Sequence, residues 1–288
     1  MYEILTQVAL PISLILMMAG IGMGLRPSDF SRVISQPKAF LIGATCQMLL
    51  LPAIAVGIIE LIGLTGPLAI GLFILALCPG GVTSNLYTML AKGDIGLSVS
   101  LTAVIGFITP FTIPVLGSWA ISQYGSDQQS FELPLAKTWI TLIVATVIPV
   151  LVGMTVRHFA TNFALSMEPW ISRFSTAVLA LLIVIICINL GDQLIDFTIA
   201  AGPAVFLLNV ITMTVGYLVG NALLECNRQS RTICLEVGLQ NGTLALMIVT
   251  TLIGSSEMAV APSIYSLIMF VTATMFTLWV RNHPATRN

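Results

Sequence analysis

Long apolar segments dominate this chain and restrict it to one class of fold. Nine stretches consist almost entirely of apolar residues and are separated by short polar connections. A helix of roughly 20 apolar residues spans the hydrocarbon core of a bilayer, so the sequence predicts an all-α membrane protein with nine transmembrane helices and no soluble domain. The predicted spans are residues 4–25, 39–59, 66–91, 95–122, 133–156, 169–190, 198–224, 232–254 and 258–280.

The composition agrees with a lipid bilayer as the surroundings of the chain. Only 8% of the residues are charged and the net charge is −1, whereas soluble domains carry about 25% charged residues. Nothing therefore indicates nucleic-acid binding. The N-terminus lacks the basic region of a secretory signal peptide, so the first apolar segment is expected to be retained. The pattern does not fix the oligomeric state, and a monomer is compatible with it.

Basic residues lie almost entirely on one side of the predicted spans. One set of connections and termini contains ten of the eleven Lys and Arg residues, and the other set contains only Lys137. Because cytoplasmic loops carry an excess of basic residues, we expect a cytoplasmic C-terminus and an external, periplasmic N-terminus. The ten residues are Arg26, Arg32, Lys38, Lys92, Arg157, Arg173, Arg228, Arg231, Arg281 and Arg287.

Two of the predicted spans contain residues that interrupt a helix. The third has Pro79-Gly-Gly81, and the eighth has Gly238 followed by Gln240-Asn-Gly242. Irregular backbone at bilayer depth is tolerated only where it is buried in protein or lines a cavity. Both spans are the penultimate element of their half of the chain, and Gln47 and Asn209 lie in similar places in the preceding spans. This pattern predicts an inverted-repeat transporter whose two discontinuous helices cross at the midplane around a binding site.

Glu236 is an acidic residue inside the eighth apolar span, and that span, residues 232–254, contains no basic residue. A carboxylate at bilayer depth costs several kcal/mol and by default marks an ion or substrate path. A protonated, hydrogen-bonded Glu236 or a position near the interface is the alternative. Ser84 and Asn85 follow the first break, and Ser98 and Thr102 share one helix face. Hydroxyl, amide, carbonyl and carboxylate oxygens suit a weakly held monovalent cation.

Four sequence segments resemble the signature segments of the bile acid:sodium symporter family, in particular those of bacterial members. They are Gly22-Met-Gly-Leu-Arg-Pro-Ser-Asp-Phe30, Cys78-Pro-Gly-Gly-Val-Thr-Ser-Asn85, Ala91-Lys-Gly-Asp-Ile-Gly-Leu-Ser-Val-Ser-Leu-Thr102 and Glu236-Val-Gly-Leu-Gln-Asn241. The resemblance covers nearly the whole chain. It implies an inner-membrane protein. Relatives often have ten spans, and this chain lacks an equivalent of the first, so its repeats are expected to contain four and five helices.

The resemblance implies two sodium ions that share Glu236. The first site would be formed by Ser84, Asn85, Ser98, Thr102 and Glu236. The second would use Glu236, Gln240, the side chain of Gln47 and backbone carbonyls near Val237 and Leu239. No other cofactor is expected.

The resemblance also implies a division into a core and a panel, with an organic-anion site between them. The panel would contain the spans 4–25, 133–156 and 169–190, and the core would contain the other six. Substrate-facing positions would be Val82, Thr83, Asn241, Phe270 and Val271. Val82 and Phe270 stand where some relatives carry polar groups, which makes this pocket more apolar.

The sequence therefore predicts a sodium-coupled symporter that imports an organic anion by alternating access. A proton-coupled carrier with Glu236 as the proton site, and a passive channel or facilitator, remain alternatives. The spans contain no His pair and no Ser/Lys arrangement, so an intramembrane enzyme is not expected. The anion stays open among bile-acid-like steroids, pantoate-like hydroxy acids and 2-oxo acids.

Overall fold

The computed structural model describes residues 5–30, 32–125, 131 and 133–282, and this part of the chain is helical with no strand. Arg287, counted above toward the charge asymmetry, lies outside the described residues. The all-helical class predicted from the sequence is confirmed. We number the helices α1 to α11 in chain order.

Seven helices in the described residues are long and apolar enough to cross a membrane. The apolar segments form helices because a bilayer offers no partner for a free backbone amide, and a helix pairs these groups internally. The seven are α1 (Thr6–Gly24), α2 (Pro37–Ile62), α5 (Ile95–Tyr124), α6 (Leu135–Phe159), α7 (Thr161–Leu190), α8 (Gln193–Leu223) and α11 (Val260–Asn282).

The third and eighth predicted spans are each divided into two shorter helices. The third consists of α3 (Gly66–Leu77) and α4 (Val82–Leu90), and the eighth of α9 (Asn227–Gly238) and α10 (Gly242–Leu252). The breaks fall at the Pro-Gly-Gly and Gln-Asn segments, where the sequence predicted them. Since only seven helices are long enough to cross by themselves, the count of nine crossings stays a prediction.

Helix α7 begins earlier than predicted. The sequence pattern placed its start at residue 169, whereas the helix begins at Thr161 and continues through Pro169. Residues 161–168, which include polar side chains, are helical as well, so α7 extends beyond the apolar segment from which its start was predicted. A search for apolar residues alone cannot locate such an extension.

Helices α1, α6 and α7 pack chiefly against one another. At the crossing of α1 and α6, Gly22 faces Gly153, and a Cβ atom on either glycine would collide with backbone of the opposite helix. Small residues permit this close approach of membrane helices. Helix α8 packs against α9 and α11, and α3 packs against α5, so the broken helices lie among the remaining long helices.

Candidate cation site at the helix breaks

The two breaks lie against each other and are joined by a pair of backbone hydrogen bonds. The amide of Gly81 donates to the carbonyl of Leu239 at 2.9 Å, and the amide of Asn241 donates to the carbonyl of Pro79 at 2.9 Å. Gly80 and Gln240 thus form an isolated antiparallel bridge. The bridge satisfies backbone groups that the interrupted helices leave unpaired, and it fixes the position of each break relative to the other.

An amide side chain from the preceding long helix supports each break. Gln47 of α2 donates from Nε2 to the carbonyl of Cys78 at 3.0 Å, and Asn209 of α8 donates from Nδ2 to the carbonyl of Gly238 at 2.9 Å. Cys78 and Gly238 each lie two residues before the bridge. The two halves of the chain therefore hold their breaks with equivalent contacts, as the similar placement of Gln47 and Asn209 in the sequence suggested.

Glu236 lies in α9 with its side chain against the first break. The residue is 1% exposed. Its carboxylate accepts hydrogen bonds from Ser98, at 2.8 Å, and from Thr102, and the Ser84 hydroxyl lies within hydrogen-bonding reach. A Cβ atom at Gly80 would collide with the carboxylate, so glycine is required there. The hydrogen-bond partners of Glu236 in the described residues are hydroxyls, and no basic side chain pairs with it.

More oxygen atoms converge on Ser98 than its single proton can serve. Its Oγ lies 2.8 Å from Oε2 of Glu236 and 2.8 Å from Oδ1 of Asn85. A hydroxyl donates only one hydrogen bond. In this orientation of Asn85, one of the two short oxygen–oxygen contacts has no proton from Ser98. Such a contact is stabilised by a cation near the oxygens or by a proton on the carboxylate.

The other residues predicted for the second ion site lie together at the two helix breaks. Gln47 donates from Nε2 to Oε1 of Gln240 at 2.7 Å, and Gln240 donates from Nε2 to the carbonyl of Val237 at 2.7 Å. The carbonyl of Leu239 accepts the Gly81 amide. The structure thus brings all the residues named for this site together, with their oxygens engaged in internal hydrogen bonds.

The first predicted site is assembled from three helices. Ser84 and Asn85 lie in α4, Ser98 and Thr102 in α5, and Glu236 in α9. Ser84 donates to the carbonyl of Gly81 at 2.8 Å. In the described part of the chain no three His, Cys, Asp or Glu side chains form a group that could hold a metal ion. The candidate ligands here are a lone carboxylate with neutral oxygens, which is a donor set suited to a monovalent cation.

Four of the five predicted substrate-facing residues line one small cavity. Val82, Thr83, Asn241 and Phe270 surround a space of about 40 Å³, beside the bridge and facing α1 and α7. Val271 is 60% exposed and does not line the cavity. The first turns of both α4 and α10 border the cavity, so the positive ends of two helix dipoles meet there.

Asn241 brings an unpaired hydrogen-bond donor to this cavity. The residue is 2% exposed, and its Oδ1 accepts from the amide of Leu244 at 3.0 Å, which caps α10. Its Nδ2 is buried without a hydrogen-bond partner among the described residues. A buried unpaired donor costs about 1–3 kcal/mol, and a ligand oxygen in the cavity would remove this cost.

A row of polar side chains on α7, on the side of the cavity opposite the breaks, was not predicted from the sequence. Ser172, Ser175 and Thr176 of α7 line it opposite the breaks. Together with Leu179 they follow the spacing i, i+3, i+4, i+7, which places them on one helix face. This spacing could have revealed them. Tyr265 was also missed; its hydroxyl donates to the carbonyl of Gly238 at 3.1 Å.

Comparison with known proteins gives a consistent set of relatives. The model of the Sodium Bile acid symporter family matches residues 11–197. The uncharacterized sodium-dependent transporter YocS of Bacillus subtilis (strain 168) is 26% identical over 273 residues, covering 92% of this chain and 77% of that protein. The probable sodium/metabolite cotransporter BASS1, chloroplastic, of Arabidopsis thaliana is 26% identical, covering 95% of this chain and 67% of that protein. Human sodium/bile acid cotransporter 4 is 29% identical over 92% of this chain, which spans 62% of the human protein.

Proposed function

Because this chain belongs to the sodium bile acid symporter family, a family of membrane transporters and not of enzymes, we propose that it couples the entry of two sodium ions to the import of one organic anion. The transport is secondary active and proceeds by alternating access across the inner membrane. The C-terminus is cytoplasmic and the N-terminus periplasmic, in agreement with the distribution of Lys and Arg.

The observation that carries this proposal is the buried carboxylate of Glu236 among neutral oxygens. An ionised carboxylate taken out of water needs a compensating positive charge, and no basic side chain in the described residues supplies one. One sodium ion would bind Glu236 with Ser84, Asn85, Ser98 and Thr102. The second would bind Glu236 with Gln47, Gln240 and the carbonyls of Val237 and Leu239. Two cations beside one carboxylate leave a net positive charge at the crossing.

That net charge favours an anion in the neighbouring cavity. The unpaired Nδ2 of Asn241 and the first turns of α4 and α10 provide donors for a carboxylate or sulfonate. Apolar Val82 and Phe270 leave a bile-acid-like steroid, a pantoate-like hydroxy acid and a 2-oxo acid as the candidate classes. A space of about 40 Å³ is too small for any of these classes, because ligand sites measure about 300–1,000 Å³. The walls of the cavity must separate for binding.

The division of the helices suggests how the walls separate. Helices α1 and α7 of the proposed panel face the breaks across this cavity. Helices α1 and α6 pack closely against each other at Gly22 and Gly153. The equivalent contacts of Gln47 and Asn209 support an inverted repeat of four and five spans, with nine crossings in total. We assign α1, α6 and α7 to the panel and the remaining helices to the core. Motion of core against panel would expose the site to each side in turn.

A proton-coupled carrier is the second candidate, and the short contacts at Ser98 favour it as a specific alternative. A proton on Glu236 would donate to Ser98, which would then donate to Asn85. A sodium ion near these oxygens and a proton on Glu236 would each stabilise the short contact for which Ser98 has no proton. The two cases differ because only the first makes the stability of the protein depend on sodium.

Purified protein can test for sodium binding before the substrate is known. We expect a melting temperature several degrees higher in NaCl than in KCl at equal ionic strength, because a ligand that binds only the folded state stabilises it by mass action. Glu236→Gln should abolish the difference. Glu225→Gln, at an exposed position outside the membrane helices, should retain it.

The same measurement with taurocholate, pantoate and pyruvate identifies the anion class, because a substrate should add stability in NaCl and little in KCl. Equal stability of the wild type in NaCl and KCl, combined with a dependence of uptake on pH alone, would assign Glu236 to protons and contradict sodium coupling.

A further inference from the structure

A second cavity lies in the panel, apart from the helix breaks. It occupies about 710 Å³ and is bordered by the C-terminal end of α1 with the turn that follows it, the last turns of α6 and the start of α7. No residue of the two breaks borders it. The transport proposal therefore leaves this cavity without a role.

Arg157 borders the cavity and is the most unusual residue in it. It lies in the last turn of α6 and is 8% exposed. Its Nη1 is buried and has no hydrogen-bond partner among the described residues. No Asp or Glu in the described part of the chain borders the cavity. Burial of one nitrogen of a charged guanidinium without a hydrogen-bond partner is unfavourable, and an anion bound in the cavity would supply that partner.

The other charged residue on the lining of the cavity is also basic. Arg26 borders the cavity and is exposed. The nearby acid Asp29 uses its Oδ2 to accept the backbone amide of Arg26 at 2.7 Å, which caps the turn after α1. Asp29 does not border the cavity. Arg157 and Arg26 border the same cavity, and guanidinium groups are well suited to pair with a phosphate.

The remaining lining contains the hydroxyl residues Ser28, Thr155 and Thr161 together with apolar side chains, and it lies at the ends of membrane-spanning helices. Leu151 and Phe159 border the cavity and are 49% and 82% exposed. Both lie in the C-terminal half of α6, beside the end of the helix that carries Arg157. A soluble anion would leave these apolar side chains uncovered. A phospholipid would cover them with its acyl chains while its phosphate lies at the basic end.

We propose that this cavity binds an anionic phospholipid, with the lipid phosphate paired to Arg157 and its acyl chains packed on the C-terminal half of α6. Basic pockets between membrane helices bind lipid head groups in this way. In the orientation proposed above, the cavity lies on the cytoplasmic side of the membrane, but the proposed lipid binding does not depend on that orientation. The lipid would bind to the panel and leave the ion site on the core unaltered.

Native mass spectrometry of the full-length protein in a neutral detergent can count the bound lipids. We expect one phosphatidylglycerol to bind at least tenfold more tightly than phosphatidylcholine, and Arg157→Gln to lose this preference. Arg281→Gln removes a positive charge from the end of α11, outside the cavity, and should keep it. If Arg157→Gln does not fold, the wild type still tests the proposal, because high salt should release phosphatidylglycerol preferentially.

Three results would overturn the proposal. The first is equal binding of the two lipids by the wild type. The second is an equal loss of binding in Arg157→Gln and Arg281→Gln, which would indicate a diffuse charge effect. The third is stabilisation by inorganic phosphate without retention of phosphatidylglycerol, which would assign the cavity to a soluble anion. The sodium dependence of the melting temperature tests the transport proposal and does not involve the lipid. Failure of the lipid proposal can therefore be distinguished from failure of the transport proposal.

Discussion

Ser98 and Thr102 lie four residues apart on α5, and both hydroxyls reach the carboxylate of Glu236. A hydrogen bond or ligand contact to a charged group contributes about 1.5–3 kcal/mol. The two hydroxyls therefore hold the carboxylate in place and, in the proposed function, complete the first ion site. The effect of removing either hydroxyl on sodium binding can be distinguished from a general effect on helix packing. Ser100 on the same helix also carries a buried hydroxyl, but its hydrogen-bonding contacts are with backbone carbonyls and not with Glu236.

Ser98→Ala and Thr102→Ala should each raise the sodium concentration needed for half-maximal stabilisation about tenfold or more, because each removes one ligand oxygen. The measurement is the melting temperature of the purified variant as a function of NaCl. Ser100→Ala is the matched control. Ser100 is buried on α5, and its hydroxyl lies within hydrogen-bonding distance of the backbone carbonyls of Asp29 and Gly96, where it can donate to one of the two.

A similar change in all three variants would show that packing of α5, and not ligation, sets the sodium response. An unchanged response in Ser98→Ala and Thr102→Ala would remove both residues from the ion site.

The spacing of Ser98 and Thr102 places them on one face of α5, and its charge distinguishes Glu236, whereas only the family resemblance implied that these residues form one ion site with Ser84 and Asn85. The pairing of Gln47 with Gln240 could not be derived from spacing, since the two residues are 193 positions apart; only the family resemblance suggested it. Thr176 was missed because a membrane hydroxyl commonly bonds its own helix, as Thr176 does with the carbonyl of Ser172 at 2.9 Å. Val271 lies one position beyond Phe270, about 100° around α11, and sequence alone does not tell which of the two faces the core.

The broken helices depend on glycine at the point where they touch. Gly80 forms the bridge with Gln240, and the space beyond its Cα is occupied by the carboxylate of Glu236. The break itself was evident from Pro79 and its two glycines. The close contact with Glu236 was not, because it depends on how two segments far apart in sequence meet.

Gly80→Ala should weaken sodium binding at least tenfold and lower the melting temperature, because the added methyl group displaces the carboxylate or separates the bridge. Overpacking of this kind typically costs about 1–3 kcal/mol. The measurement is again stability against sodium concentration. Gly57→Ala in α2, where an added Cβ meets no atom within 4 Å, should be neutral or slightly stabilising.

If Gly80→Ala retains the sodium response of the wild type, the contact between Gly80 and Glu236 does not shape the ion site. A loss in both variants would instead indicate a general sensitivity of the helices to glycine replacement.

At the scale of the whole molecule, the helices of the proposed panel pack differently against one another than against the broken helices. Glycines allow close packing of α1 on α6, whereas small cavities lie between these helices and the breaks. The apolar segments predicted the order and approximate position of the helices, because a span needs about 20 apolar residues, but they did not predict the early start of α7. The assignment of helices to panel and core required the family resemblance, since an apolar pattern does not say which helices pack together.

The proposed stoichiometry predicts that transport moves charge. Two sodium ions that enter with one monovalent anion carry one net positive charge. A tenfold sodium gradient supplies about 2.7 kcal/mol for two ions, and a potential of 100 mV supplies about 2.3 kcal/mol more. The resulting ~5 kcal/mol could sustain an anion gradient of several thousandfold. Nearly half of this driving force is electrical.

Uptake into proteoliposomes should therefore rise when the lumen is made negative by a potassium diffusion potential, with the sodium gradient held constant. The substrate is the anion that shows sodium-dependent stabilisation. At about 100 mV the accumulated anion should increase by one to two orders of magnitude. Glu236→Gln should show neither accumulation nor a voltage effect. Accumulation that needs sodium but ignores the potential would mean one sodium ion per monovalent anion, and only one of the two sites around Glu236 would then be occupied during transport.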